Sequence, residues 1–259
     1  MTNPFDLSHK TAVVTGASSG IGRAIALALA DAGADVLVHA RHSAQKARQV
    51  ADEIVDKGRS AQVVLLDLAA QDAHRALVTA AYAWRPQVDI WINNAGVDLL
   101  TGDAATWSFD QKLEHAWRID VLATIHLSRL VGAKMQAHGG GVILNMGWDQ
   151  ADHGMAGDSG EMFAATKGAI MSFSKSLAMS LAPSVRVNCL APGWIKTSWG
   201  ETASEFWQKR AAREAQLGRW GTPEDVARVA LFAVSPASGF VTGQTFAVDG
   251  GLLFRNERA

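Results

Sequence analysis

Seven short runs rich in aliphatic and β-branched residues recur along the chain, and a helical stretch or longer connection separates each from the next. The runs are TAVVTG, DVLVHA, AQVVLLDL, VDIWINNAG, GGVILNMG, VRVNCLAPG and TFAVDGG. Between them lie GRAIALALADAG, closed by Gly33, AQKARQVADEIVDKG, ending at Gly58, and AHRALVTAAYAW. A long helix follows from about Phe109 to Ala137, and another runs from about Glu161 to Leu181. TPEDVARVALFAVS is a helix with Thr222 as its N-cap and Pro223 at its first position. Near-continuous apolar strands joined by helical crossovers require a parallel sheet covered on both faces. Right-handed crossovers make it doubly wound and Rossmann-like, with about seven strands, helices on both faces and ligands at the carboxyl ends of the strands.

The chain has 259 residues, which fits one α/β domain, and no linker, repeat or low-complexity segment divides it. A net charge of −1 gives no electrostatic footprint for nucleic acid or an anionic membrane. No stretch approaches the roughly 20 apolar residues that span a bilayer. The start, MTNPFDLSHK, has no apolar run of signal-peptide length. Cys189 is the one cysteine, so no internal disulfide forms, which suits the cytoplasm. No metal is expected.

VTGASSGIGRAIA places Gly16, Gly20 and Gly22 between the first strand and first helix. Glycines there let the backbone turn tightly and approach a pyrophosphate resting on the helix N-terminus. The spacing is TGxxxGxG rather than GxGxxG, and alone it fits any tight strand-to-helix turn. NNAG (Asn93 to Gly96) ends the fourth strand, APGWIKT (Ala191 to Thr197) ends the sixth, and GRWGTPEDVA and VTGQTFAVDGG close the chain. With these motifs together, the sequence resembles the short-chain dehydrogenase/reductase family over essentially its whole length. The resemblance implies that Gly16, Ser18, Ser19, Gly20, Ile21 and Gly22 surround the cofactor pyrophosphate and adenosine ribose. It implies that Asp67 and Leu68 flank the adenine, and that Asn94, Ala95 and Gly96 line the cleft. Pro192, Gly193, Ile195 and Thr197 meet the nicotinamide and its carboxamide.

The second strand ends VLVHAR. NAD-preferring relatives carry an acid where Ala40 stands, to accept hydrogen bonds from the ribose 2′-hydroxyl. Arg41 follows, and a cation suits a 2′-phosphate. NADP(H) is therefore favoured over NAD(H), although Ser19 replaces the second arginine of many NADP users. The alternative reading of Arg41 is a solvated loop cation.

The family reaction uses a tyrosine as acid, a lysine that lowers its pKa, a serine that holds the substrate oxygen, and an asparagine that supports a relay water. This chain departs at three of the four. Phe163 stands at the tyrosine position, Trp148 (or Gly147) at the serine, and Asp120 at the asparagine. The segment between Trp148 and Phe163 is about two residues longer than usual. Tyr82, the one tyrosine, lies in the helix before the fourth strand, far from the cleft. Lys167 remains; in the family it also bonds the nicotinamide ribose hydroxyls, a task that needs no tyrosine. Its bland reading is a solvated helix lysine. Asp120 is a candidate partner for Lys167.

Substitute acids would come from the polar loop WDQADHGMAGDSGE. Asp149 follows Trp148 and is a candidate to project into the cleft; His153 is a further candidate, although a loop histidine is more often simply exposed. Asp158 and Glu161, three apart, read as a helix cap with its reciprocal partner. Trp148, Trp194, Trp199 and Trp207 border the substrate cleft in this topology, which fits either packing or an apolar or aromatic small-molecule ligand. Residues at about 198–217 form the family's mobile helical lid. Relatives associate through the long helix and the Lys167 helix, and FAVDGGLLF is apolar enough to need cover, so a homotetramer or dimer is expected. Three functions stay open: an NADP(H)-dependent oxidoreductase on a carbonyl or alcohol with a non-standard or impaired proton donor, a non-redox lyase or isomerase, and a catalytically silent nucleotide-binding protein.

Overall fold

The computed structural model describes residues 3–252. Seven strands form one parallel sheet: β1 (Thr11–Val14), β2 (Asp35–Ala40), β3 (Ala61–Leu65), β4 (Ile90–Asn93), β5 (Gly141–Met146), β6 (Val185–Pro192) and β7 (Thr245–Val248). Their order is β3-β2-β1-β4-β5-β6-β7, so the direction of winding reverses between β1 and β4. At such a reversal the crossovers leave in opposite directions and open a crevice above the strand ends. All seven expected strands are present, and every neighbouring pair is parallel.

Alternating side chains send each strand into two cores. Ala12, Val14, Val36, Val38, Ile90 and Ile92 pack with α1 (Gly20–Asp31), α2 (Ala44–Asp56) and α9 (Pro223–Val234). Val13, Leu37, Trp91 and Ile143 pack on the opposite face, with α3 (Ala73–Trp84), α5 (Ala123–Ala137) and α6 (Asp158–Leu181). The period of two that turns successive side chains to opposite faces is why central strands such as β1 and β4 are buried throughout. Thr222 caps α9 as expected, with a reciprocal bond from Asp225.

Two details differ from the sequence reading. The long helix is not uniform: α4 (Phe109–Ala116) passes through a π-helical turn, Trp117–Leu122, before α5 begins. Inserted turns of this kind often mark functional sites, and this one contains Asp120. Second, α6 starts at Asp158, and Gly157 is its N-cap with φ 94°, a conformation open to glycine but costly to most residues. Asp158 is therefore the first helical residue and makes no side-chain cap, contrary to the capping pattern read from Asp158 and Glu161. The segment at 198–217 contains two helices, α7 (Ser198–Thr202) and α8 (Glu205–Glu214).

Candidate functional site

The Gly-rich turn is built from backbone requirements. Gly16 has φ +64°, and a Cβ on it would lie 2.9 Å from the Ala95 Cα. A Cβ on Gly22 would lie 2.3 Å from the Gly16 carbonyl oxygen. No side chain fits, so the first turn of α1 packs directly on the loop. Thr15 and Asn94 fasten this loop to the end of β4. Thr15 Oγ1 accepts from the Asn94 and Ala95 amides at 3.0 and 2.9 Å, and Asn94 Nδ2 donates to the Thr15 carbonyl at 2.9 Å.

His39, which sequence reasoning missed, ties the turn to β2 and β3. Its Nδ1 accepts from the Gly16 amide at 3.3 Å, so Nε2 carries the proton and donates to the Leu66 carbonyl at 2.9 Å. Burial holds the His39 pKa below the ordinary histidine value, which favours this neutral form. The available signal was a histidine in an otherwise apolar strand one residue before its end.

Above these elements lies a cavity of about 680 Å³. Gly16, Ser18, Ser19, Arg41, Asp67, Leu68, Asn94, Ala95 and Gly96 line it, as do His42 and Ser43, which the sequence reading did not select. Asp67 Oδ1 accepts from the Ala69 amide at 2.9 Å, fixing the turn after β3. Gly20 and Gly22 do not line the cavity; they shape the turn beneath it.

Asn94 also lines a second cavity of about 580 Å³, with Ile21, Lys167, Pro192, Gly193, Ile195 and Thr197. Its remaining walls are mostly aromatic and apolar, Trp148, Phe163, Trp194, Trp199, Trp207 and Trp220 with Met155 and Leu100, and Ser159 also lines it. Trp220 was not anticipated from sequence. Trp194 packs against Trp199, Trp207 and Trp220 with ring centroids 6.2, 5.5 and 6.0 Å apart. Its Nε1 donates to Glu214 at 2.8 Å, and the Arg210 guanidinium lies over the Trp207 ring at 5.0 Å. The indole N–H and the nearby cation are thus engaged on the α8 side. Trp148 and Phe163 meet edge-to-face at 6.2 Å.

Lys167 Nζ lies 2.9 Å from Asp120 Oδ2, and Asp120 is 1% exposed. Asp120 Oδ1 accepts from the Val97 amide at 3.1 Å. The π-helical turn carries Asp120 inward to the end of β4, so the cation beside the cavity is already paired. Placement of its two helices depends on a buried polar chain. Asn93 donates to Ser128 on α5 and to Asn145 on β5, and Asn145 donates to Ser174 on α6. A fully satisfied network of this kind specifies register where apolar packing alone would allow sliding.

Asp149 and His153 line neither cavity. His153 is exposed. Asp149 is buried behind Gly193: its Oδ2 lies 2.8 Å from where a Gly193 Cβ would be, and Asp249 packs on the same spot. Burial pushes the Asp149 pKa up to about 7, and the charges of Asp249 and Glu214 add to the rise. Its Oδ2 has no hydrogen-bond partner among the described residues. Tyr82 packs against Lys134 and His138, away from both cavities.

The family described as enoyl-(acyl carrier protein) reductase matches residues 16–253. An uncharacterized oxidoreductase of Mycobacterium tuberculosis is 35% identical over 254 residues, covering 97% of this chain and 95% of that protein. The crystal structure of a putative NAD(P)-dependent gluconate 5-dehydrogenase from Beutenbergia cavernae, with bound NADP, is 38% identical with a TM-score of 0.85. That alignment covers 96% of this chain and 98% of the other. A 7α-hydroxysteroid dehydrogenase complexed with NADH and 7-oxo glycochenodeoxycholic acid gives 32% identity and a TM-score of 0.89, over 98% of this chain and 99% of the other.

Proposed function

The chain belongs to the short-chain dehydrogenase/reductase family, and from that premise we propose that it binds NADP(H) and acts as an oxidoreductase on the carbonyl or alcohol group of an apolar or aromatic small molecule, with an impaired proton donor. One observation carries this reading. Two cavities meet at Asn94: one is lined by the glycine turn and Arg41, and the other is aromatic-walled and contains Lys167. Relatives in the family bind NADP or NADH, and a nicotinamide cofactor fits here because Gly16, Ser18 and Ser19 of the turn line a cavity that also holds Arg41, Asp67 and Asn94. The residues assigned to it are Gly16, Ser18, Ser19, Gly20, Ile21, Gly22, Arg41, Asp67, Leu68, Asn94, Ala95, Gly96, Lys167, Pro192, Gly193, Ile195 and Thr197.

When bound, the nicotinamide donates or accepts the hydride. The chain's own residues do the rest. Arg41, exposed beside His42 and Ser43, supplies the cation and neighbouring donors that suit a 2′-phosphate. Lys167 bonds ribose hydroxyls while Asp120 holds it in place. The tryptophans exclude water and favour a flat or apolar ligand. Neither Phe163 nor Trp148 carries a group that hands a proton to a carbonyl oxygen as tyrosine does. The helices at 198–217 act as a lid over this cavity. The protein works in the cytoplasm as a homotetramer or dimer. Trp117, Leu122 and Met179, exposed on the helices around Asp120 and Lys167, and the open edge of β7 supply surfaces for association. Leu253 and Phe254, the end of the apolar FAVDGGLLF segment, lie outside the described residues.

The cofactor assignment is tested by fluorescence titration. NADPH should bind more tightly than NADH, and Arg41→Asp should erase or reverse the order. Equal affinities in the wild type would sink it. The Lys167–Asp120 pair beside Phe163 favours a second reading, a catalytically silent nucleotide-binding protein, because a cation already neutralised by a carboxylate polarises a substrate oxygen weakly. Tight NADPH binding with no turnover across a broad carbonyl panel would select it.

A further inference from the structure

Ser159, Phe163 and Lys167 are spaced four apart on α6, so they share one face of the helix, and all three line the aromatic cavity. Helical side chains lean toward the N-terminus, so Phe163 reaches over the turn that carries Ser159. Among the described residues the side-chain hydroxyls lining this cavity are those of Ser159 and Thr197. Thr197 sits at the cofactor end, its Cγ2 3.5 Å from where a Gly20 Cβ would be. Several of the other polar groups are engaged: Asn94 with the Thr15 carbonyl, Lys167 with Asp120, and the Trp194 and Trp220 N–H groups with Glu214 and the Gln208 carbonyl. Ser159 Oγ is uncommitted among the described residues, and the residue is only partly buried.

We propose that Ser159 is the residue that holds the substrate oxygen in this chain, its hydroxyl donating a hydrogen bond to a carbonyl seated in the aromatic cavity beside Phe163. This rests on the reading of the aromatic cavity as the substrate site. The hydroxyl lost at the serine and tyrosine positions is replaced from one turn earlier on the same helix face. The longer segment after Trp148 ends at the start of that turn. The ligand is a neutral ketone or alcohol on a flat apolar body, because the walls offer aromatic rings and their one cation is paired.

The test compares two probes of one shape, 9-fluorenone and fluorene, which differ by the carbonyl oxygen. Binding to the full chain with saturating NADP⁺ is read from quenching of tryptophan fluorescence, for wild type, Ser159→Ala and Ser159→Thr. A lost neutral hydrogen bond changes affinity by about threefold to tenfold. Ser159→Ala should therefore shift the ketone-to-hydrocarbon affinity ratio against the ketone by about that factor. Ser159→Thr should keep the wild-type ratio, and fluorene and NADP⁺ affinities should stay unchanged in both variants. An unchanged ratio in Ser159→Ala overturns the proposal, as does equal weakening of both probes or failure of either to bind the wild type. NADPH oxidation is recorded separately with the ketone. A shifted ratio without oxidation upholds the contact and removes the redox reading, whereas oxidation with an unchanged ratio does the reverse.

Discussion

Asp149 makes stability depend on pH in a direction opposite to that of most carboxylates. Its side chain is 6% exposed, wedged where Gly193 lacks a Cβ, and faces the carboxylates of Asp249 and Glu214. Burial first, and those charges second, raise its pKa from 3.8 to about 7. The neutral acid is the form the fold accepts. Its stabilising effect is thus fully present below the unfolded value near 3.8 and is lost as pH rises through about 7. At about 1.4 kcal/mol per pH unit, the rise amounts to roughly 4 kcal/mol over the whole range. At pH 5 an unfolded aspartate is already mostly ionised, which leaves about 2–3 kcal/mol to be lost between pH 5 and 8.5.

Asp149→Asn removes the titration while keeping the shape. Urea denaturation followed by circular dichroism at both pH values gives the comparison. Other groups titrate in both proteins, so the quantity read is the difference between the two pH dependences. Wild type should lose about 2–3 kcal/mol more than the variant on going from pH 5 to 8.5. For a chain of this size that is a Tm gap growing by roughly 5–10 °C. Parallel pH profiles would refute the argument, because they would mean that Asp149 ionises in the folded protein without penalty.

Gly22→Ala should abolish NADPH binding or unfold the first turn of α1, since its Cβ would lie 2.3 Å from a backbone carbonyl that no rotamer change relieves; titration together with a thermal melt distinguishes the two, and an unaltered variant would contradict the geometry. Phe163→Tyr alone should add little carbonyl reduction because Lys167 stays paired with Asp120, whereas Phe163→Tyr, Trp148→Ser and Asp120→Asn combined should recover part of the roughly 10²–10⁴-fold that general acid catalysis contributes. Wild-type turnover of a simple ketone at about 10 per second would show that another acid is at work. Light scattering at micromolar concentration should report a dimer or tetramer, and a monomer would count against the association proposed for the exposed helix faces.

What the sequence made legible follows from how each feature is determined. Strand and helix positions depend on periodicity, a local property, and all seven strands and the sheet's parallel sense came from it. The glycine turn is equally local, because Gly16 and Gly22 answer to backbone clearances of a few ångströms. The Lys167–Asp120 pair was a candidate from sequence because both positions fall in long helical stretches, but the π-helical turn that carries Asp120 was not legible there. The loop from Trp148 to Gly157 has no such anchor. The loop hands over to α6 at Asp158 and puts Gly157 at positive φ in the capping position. It also turns the Asp149 side chain behind Gly193 instead of into the cleft, an orientation that depends on Gly193 and Asp249, far away in sequence. Trp220 joins the aromatic wall for the same kind of reason: α7 and α8 fold back so that Gly200 packs on its ring. Several of the features hidden from sequence therefore share one place, the segment between Trp148 and Phe163. Here the same loop brings an indole against Phe163, buries a carboxyl under Gly193 and leads into the turn that carries Ser159. On the function proposed above the site takes an apolar ligand, and its chemistry is to be sought in that loop and the first turn of α6.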